Sequence, residues 1–294
     1  MKKIFTIALK EFRDRLWSGW VIACVVIWLA AILLTSFFGL IQIGRIGAQG
    51  YERTTASLLN LTQYLAPLLG LLVGHDVIIR EREERTLHLI LACGIRRAYL
   101  PFAKFLGAAL TVSLPLLAGF IVAGGLIGAA SHDVDFVPFV KMTLTAVALG
   151  VIFAGIGTVV STIARSRVQA LVCALLAWGI AVFAFDLAAL GIMVSQKAPQ
   201  ASQEIEVVCD ATHVNVQADI HSAFDTSLDR RIISEPSAPK ITWLFLNPVD
   251  VFRVINLPRS AQVSLPLTGA FTCATVWIAL SLLVATARFR RINL

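Results

Sequence analysis

The densest run of chargeable side chains stands directly after an apolar stretch, within Gly74–Lys104, GHDVIIREREERTLHLILACGIRRAYLPFAK. Carboxylates at Glu81, Glu83 and Glu84 are interleaved with Arg80, Arg82 and Arg85, and about two helical turns of apolar residues (Leu87, Leu89, Ile90, Leu91) follow. Gly94 can end that short helix as a C-cap, and the basic pair Arg96 and Arg97 leads to Tyr99. This order suits docking rather than bond-making. It offers a partner an acidic face (Glu81, Glu83, Glu84) and a basic-apolar knob (Ile95 to Tyr99). The same charges also suit a solvated loop that marks one side of a membrane.

Other candidates are sparser. Asp186 stands in an apolar run, where an ionisable group costs about 2.5–3.5 kcal/mol on insertion scales and needs a partner or water. It reads either as a gating or cargo-path residue or as a hydrogen-bonded packing residue. Cys209, His213 and His221 offer soft sulfur and imidazole, which suit copper. Their spacing fits no strong site pattern, so no metal site is assigned. Bond-making catalysis finds no constellation: the sequence holds no H-E-x-x-H, no G-x-S-x-G and no paired intramembrane carboxylates.

The elements that must position these residues follow from composition. The chain of 294 residues is 57% hydrophobic and 15% charged, with a mean hydropathy of +0.80. A soluble domain carries about 25% charged residues. The apolar excess lies in runs that meet the ~18–20 residues needed to span a bilayer. The first, Leu16 to Ile43, is too long for a signal-peptide core and lacks an A-x-A exit, so it reads as a retained anchor. The net charge of +7 sits beside the ends of apolar runs, as expected for a membrane protein and not for a nucleic-acid binder. Five cysteines are scattered without C-x-x-C spacing, which argues against a disulfide framework.

The expected fold is therefore an all-α integral membrane protein with six transmembrane helices and both termini in the cytoplasm. Residues 1–16 form an amphipathic interfacial helix. Ile4, Phe5, Ala8, Leu9, Phe12 and Leu16 line one face, and Lys2, Lys3, Lys10, Arg13 and Arg15 the other. The spans run roughly over Trp17–Ile43, Leu58–Ile79, Leu100–Ala130, Pro138–Ala164, Val168–Val194 and Leu265–Ala287. Removing one span would strand Arg288, Arg290 and Arg291 outside. Residues 80–99 form the inner segment. Residues 195–264 form an outer loop, which includes ITWLFLNPVDVFRVINL (Ile241–Leu257). That stretch is too short and too polar to span twice, and reads as one or two interfacial or re-entrant helices.

The run Glu81-Arg82-Glu83-Glu84-Arg85-Thr86-Leu87 through Lys104-Phe105-Leu106-Gly107 resembles type-2 ABC exporter permeases. Ala8-Leu9-Lys10-Glu11-Phe12-Arg13 is similar to their amphipathic connecting helix. Phe185-Asp186-Leu187 and Leu246-Asn247-Pro248-Val249-Asp250-Val251-Phe252-Arg253-Val254-Ile255-Asn256-Leu257 narrow the likeness to the permeases of NosDFY-type transporters, which help mature the copper sites of nitrous oxide reductase. The resemblance implies a single ABC-2 type domain over residues 1–294, and coupling to an ATPase through Glu81, Glu83, Glu84, Arg96, Arg97 and Tyr99. It implies a multi-pass place in the cell inner membrane as a homodimer with two copies of a separate NosF-like ATPase, which would bind ATP and Mg. A periplasmic β-helical NosD-like protein is implied too, with a copper chaperone and nitrous oxide reductase as further candidates. Asn247, Asp250 and Arg253 are the expected contacts of the periplasmic partner. The need for a separate ATPase also follows from the residues, since no G-x-x-x-x-G-K-[ST] phosphate loop occurs. The chain is thus not expected to be an enzyme, nor to bind a cofactor of its own. The competing reading within the family is an exporter of a lipid, drug or polysaccharide.

Overall fold

The computed structural model describes residues 2–41, 48–87, 99–130, 136–184, 187, 247–256 and 267–291. The regular elements among them are all helical. In chain order they are α1 (Lys2–Leu16), α2 (Gly19–Ile41), α3 (Ala48–Gly74), α4 (Ile79–Glu83), α5 (Leu100–Ala130), α6 (Phe136–Ile163) and α7 (Arg167–Gly179). A π-helical turn (Ile180–Ala184), α8 (Pro248–Ile255) and α9 (Leu267–Arg290) complete them. Met1–Val182 and Pro248–Leu294 make one compact unit; Phe183–Asn247 form a second, described only at residues 183, 184, 187 and 247.

Four stretches are long and apolar enough to cross a membrane: Thr55–Glu83, Leu100–Ala129, Phe136–Ile163 and Phe271–Arg290. α1 and α2 meet at 70° and make a fifth if counted as one broken span. The apolar helix Arg167–Phe183 is shorter. Asp186 and residues 188–194 of the expected fifth span, residues 88–98 with Arg96 and Arg97, and the polar region with Cys209, His213 and His221 lie outside the described residues. The described residues therefore carry four to five of the six expected spans.

Small residues bring α3 and α6 together. A Cβ on Gly74 would meet the Cα of Gly157 at 2.9 Å, so only hydrogen atoms fit between the two backbones. Close backbone approach of this kind supplies dispersion contacts where the hydrophobic effect is weak. An aromatic ladder ties α2, α5 and α6: Trp28 meets Phe120 edge-on at 6.2 Å, and Phe120 meets Phe139 at 5.9 Å. The Trp28 indole donates to the Pro115 carbonyl at 3.0 Å, which satisfies a polar ring inside the bundle. Trp178 of α7 likewise donates to the Tyr64 carbonyl at 2.9 Å.

Candidate functional site

One end of the bundle gathers the charges of α1, the α3–α4 turn and the start of α5. Their sequence positions are far apart, and helix geometry brings them together. On α1, Ala8, Glu11 and Arg15 recur at three- and four-residue spacing and share one face. That face packs on α5. A Cβ at Gly107 would meet the Glu11 Cβ at 2.8 Å and the Ala8 carbonyl oxygen at 2.9 Å, so only glycine lets the helices come this close. α3 ends at Gly74, and the chain turns through His75–Ile78 before α4 starts. Ser161 of α6 accepts from the amides of Ile78 and Ile79 at 2.9 and 3.0 Å, which satisfies the first donors of that short helix.

Glu11 is the node. Its Oε1 accepts from Arg15 Nε at 2.8 Å and its Oε2 from Lys104 Nζ at 3.0 Å. Lys104 donates as well to Glu81 Oε1 at 2.7 Å and to the Val77 carbonyl at 3.0 Å, which occupies the three protons of its ammonium group. Arg15 donates to Asp76 Oδ1 at 2.7 Å and to the Val73 carbonyl at 2.8 Å. Lys104 is 1% exposed and Arg15 3%. Burial alone would raise the Glu11 carboxyl, but Lys104 and Arg15 outweigh it and hold Glu11 below its ordinary value. Burial likewise disfavours charge on Arg15, and Asp76 and Glu11 reverse that, so its guanidinium is held more firmly charged than usual.

A second, exposed set stands beside the first. Arg167, at the start of α7, donates through its backbone amide to Glu83 Oε1 at 2.8 Å and pairs with Glu83 Oε2 at 2.9 Å. Its Nη2 reaches Glu84 Oε1 at 2.8 Å, an oxygen that also accepts from Arg80 Nε at 3.2 Å. The bond from Arg167, with that from Arg80, lowers the Glu84 carboxyl against a small opposing effect of burial. Arg82 donates to the Ala164 carbonyl at 3.2 Å. Arg85 closes the segment at φ 57°, the left-handed region, where Thr86 N reaches back to the Glu81 carbonyl at 3.0 Å.

The three glutamates expected on one acidic face therefore divide. Glu81 turns inward to Lys104, whereas Glu83 and Glu84 stay at the surface and pair with Arg167. Tyr99 is exposed. Arg15, expected among the solvated basic residues of α1, is instead buried among carboxylates, while Phe5, Leu9 and Trp17 of α1 are exposed. Sequence reasoning passed over Glu11, Arg15, Asp76, Lys104 and Arg167 as site residues. The available signal was Lys104, a cation in the opening turns of an apolar span, together with Glu11 and Arg15 one turn apart.

On α8, Asn247 precedes the helix and is 2% exposed. Asp250 and Arg253 lie 3.8 Å apart, and Arg253 Nε donates to Gln63 Oε1 of α3 at 3.0 Å. Among the described residues no group of three His, Cys, Asp or Glu side chains stands close enough to hold a metal ion.

The whole-chain comparisons agree with the helical architecture. The family described as "ABC-2 family transporter protein" matches residues 5–294. The chain is similar to the "Probable ABC transporter permease protein NosY" of Stutzerimonas stutzeri, 27% identical with 99% of each chain covered. It is similar also to the protein of the same name from Pseudomonas aeruginosa, 28% identical with 99% of each covered. A family match over nearly the full length, on a chain with apolar spans and a charged end that joins three helices, shows that this chain belongs to the ABC-2 transporter family as a membrane permease.

Proposed function

We propose that this permease couples ATP hydrolysis on a separate, NosF-like chain to maturation of the copper sites of nitrous oxide reductase. It does so in the cell inner membrane, as a homodimer that transmits force to a periplasmic, NosD-like partner. The likeness to two permeases named NosY over their full length supports the client. The single observation that carries the mechanical reading is the Glu11–Arg15–Lys104–Glu81–Asp76 network. It fastens α1, the α3–α4 turn and α5 into one joint at the end where the segment 80–99 would meet the ATPase. Movement imposed on that segment then reaches two spans at once.

This charged end faces the cytoplasm, since basic residues collect on that side. Glu83, Glu84 and Tyr99, with Arg96 and Arg97, provide the ATPase contact. Glu81 serves the joint behind it. The segment with Asn247, Asp250 and Arg253, joined to α3 through Arg253 and Gln63, would pass movement on toward the periplasmic partner.

A copper path would need soft or imidazole ligands spaced through the bilayer. The described spans supply Cys24, Cys173 and Cys273 singly, and Met142 is buried in the core. The test is a variant in which Cys24, Cys173, Cys209 and Cys273 become Ala or Ser and Met142 and Met193 become Leu. Copper loading of the client enzyme should persist in it and fail in a strain that lacks the permease. Loss of loading in the ligand-free variant, with the complex intact, overturns force transmission. Full loading without the permease overturns the assigned client and favours an exporter of another cargo.

A further inference from the structure

α4 is a helix without a cap of its own. Ile78 stands at its N-cap position and makes no side-chain cap bond. The missing oxygen comes from another helix: Ser161 Oγ of α6 accepts from the amides of Ile78 and Ile79 at 2.9 and 3.0 Å. Ile78 is 1% exposed, and Ile79 and Ser161 are 0% exposed, so solvent does not reach the place of that oxygen. Moving α4 off α6 would leave two buried amides unpaired, each at the cost of desolvation without a bond. Further contacts flank the hydroxyl. One turn before Ser161, a Cβ on Gly157 would meet the Gly74 Cα at 2.9 Å, so the end of α3 lies directly on α6. Three residues after Ser161, the Ala164 carbonyl accepts from Arg82 of α4 at 3.2 Å. A cation there also suits the dipole at the end of α6. Ile79 belongs to a small buried apolar cluster with Ala164 and Ala170.

Charge binds α4 to α5 through Glu81 and Lys104. A hydroxyl binds it to α6, and α6 leads elsewhere. Thr145 lies sixteen residues before Ser161 on the same helix, or ~24 Å at ~1.5 Å rise per residue. Its Oγ1 accepts from Asn256, at the end of α8, at 2.9 Å. One helix is thus bonded to α4 near one end and to the α8 segment well along its length. We propose that Ser161 is a positioning residue that makes α4 and α6 one moving unit, so that α6 carries a displacement of α4 by the ATPase toward the opposite face of the membrane. A rigid helix fixed to the driven segment transmits displacement directly. Being fully buried, Ser161 is out of reach of the ATPase and acts only through α4. The proposal rests on the ATP-coupled reading above for what displaces α4, and not for the client.

The far end of α6 supplies the readout. Val140 is exposed and lies twenty-one residues before Ser161, ~31 Å away at the same rise. In the full complex, the five native cysteines are changed to Ser and Val140→Cys carries a bimane label. Emission is compared between the nucleotide-free state and the state trapped with ATP and vanadate. With Ser161 in place, trapping should shift the emission. Ser161→Ala should lose the shift while the ATPase still co-purifies and still hydrolyses ATP, a separation that mere loss of structure does not give. Arg82→Ala, at a partly exposed side chain, should shrink the shift and keep the ATPase bound. A full shift in Ser161→Ala, or none with Ser161 in place, overturns the proposal. If Ser161→Ala fails to assemble or loses the ATPase, Arg82→Ala decides: a smaller shift supports the proposal and a full one overturns it. A shift without copper loading of the client keeps the proposal and overturns the assigned client. Loading without any shift does the reverse.

Discussion

α3 is gripped twice, by different chemistry. Around Val73–Asp76 it is held by buried charges, with the two cations Arg15 and Lys104 set among Glu11, Asp76 and Glu81. At Gln63 it is held by one bond to Arg253, while Asn256 binds the neighbouring α6. Removing one partner of a buried ion pair costs about 3–5 kcal/mol, because the other charge is left uncompensated. Breaking a hydrogen bond costs less, about 0.5–1.5 kcal/mol when both groups are neutral and 1.5–3 when one is charged. The same helix therefore carries one grip that is costly to break and one whose hydrogen bond is cheaper to lose.

The largest effect should follow from Lys104→Met. It leaves Glu11 and Glu81 buried without their ammonium partner, and about 3–5 kcal/mol of stability should be lost. Thermal unfolding of the detergent-solubilised permease should show a clear fall in midpoint. Lys104→Arg should restore part of it, because a guanidinium can still meet carboxylates. If Lys104→Met unfolds no more readily than a variant of the α8 contacts, the contrast between the two grips is broken.

A middling effect should follow from Thr145→Val, which removes the hydroxyl that accepts from Asn256 while nearly keeping the volume. Thr145 Oγ1 itself donates to the Lys141 and Met142 carbonyls at 2.9 and 3.0 Å, bonds that the helix can lose at small cost. The expected destabilisation is about 1 kcal/mol. The joint should be untouched, so ATPase co-purification should not change. Loss of the ATPase from this variant would show that the α8 contacts and the charged end of the bundle are not separable.

How much of this the sequence disclosed depends on how far apart the partners lie. α5 occupies Leu100–Ala130, the bounds its apolar run gave, and α6 and α9 begin and end within a few residues of expectation. These are local matters of apolar length. The inward turn of Glu81 is not local. It depends on Lys104 being carried under α4 by a different helix, and on Glu11, 93 residues away from Lys104, closing the set. From spacing alone Glu81, Glu83 and Glu84 are equivalent members of an acidic run. α8 shows the same divide. Too short and too polar to span twice, its stretch reads as one or two interfacial or re-entrant helices broken at Pro248, and the structure opens α8 at that proline. That Arg253 would bind Gln63 rather than face an outside partner requires the register of α3 against α8.

The smallest effect belongs to Arg167, and its sign is the informative part. Its pairs with Glu83 and Glu84 are exposed, with 42% of the Arg167 side chain open to solvent. Pairs of this kind contribute about 0.2–1 kcal/mol and are screened by salt. Arg167→Gln should therefore shift the unfolding midpoint little, and the shift should vanish in high salt. The Glu84 carboxyl is held below its ordinary value, first by Arg167 and then by Arg80. A carboxylate so depressed contributes its stability fully above the ordinary glutamate pKa near ~4.3 and loses it as pH falls through the lower, folded value. Arg167→Gln should thus lower stability slightly at neutral pH, leave it unchanged at a pH well below the folded value, and so flatten the acid limb of the stability curve. Arg167 also occupies the two carboxylates that the proposed ATPase contact would use. Its removal should free them, so ATPase binding should be kept or strengthened while Glu83→Lys with Glu84→Lys abolishes it. Equal loss of binding in both variants would place Arg167 itself in the contact, and would move the docking surface from α4 toward the start of α7.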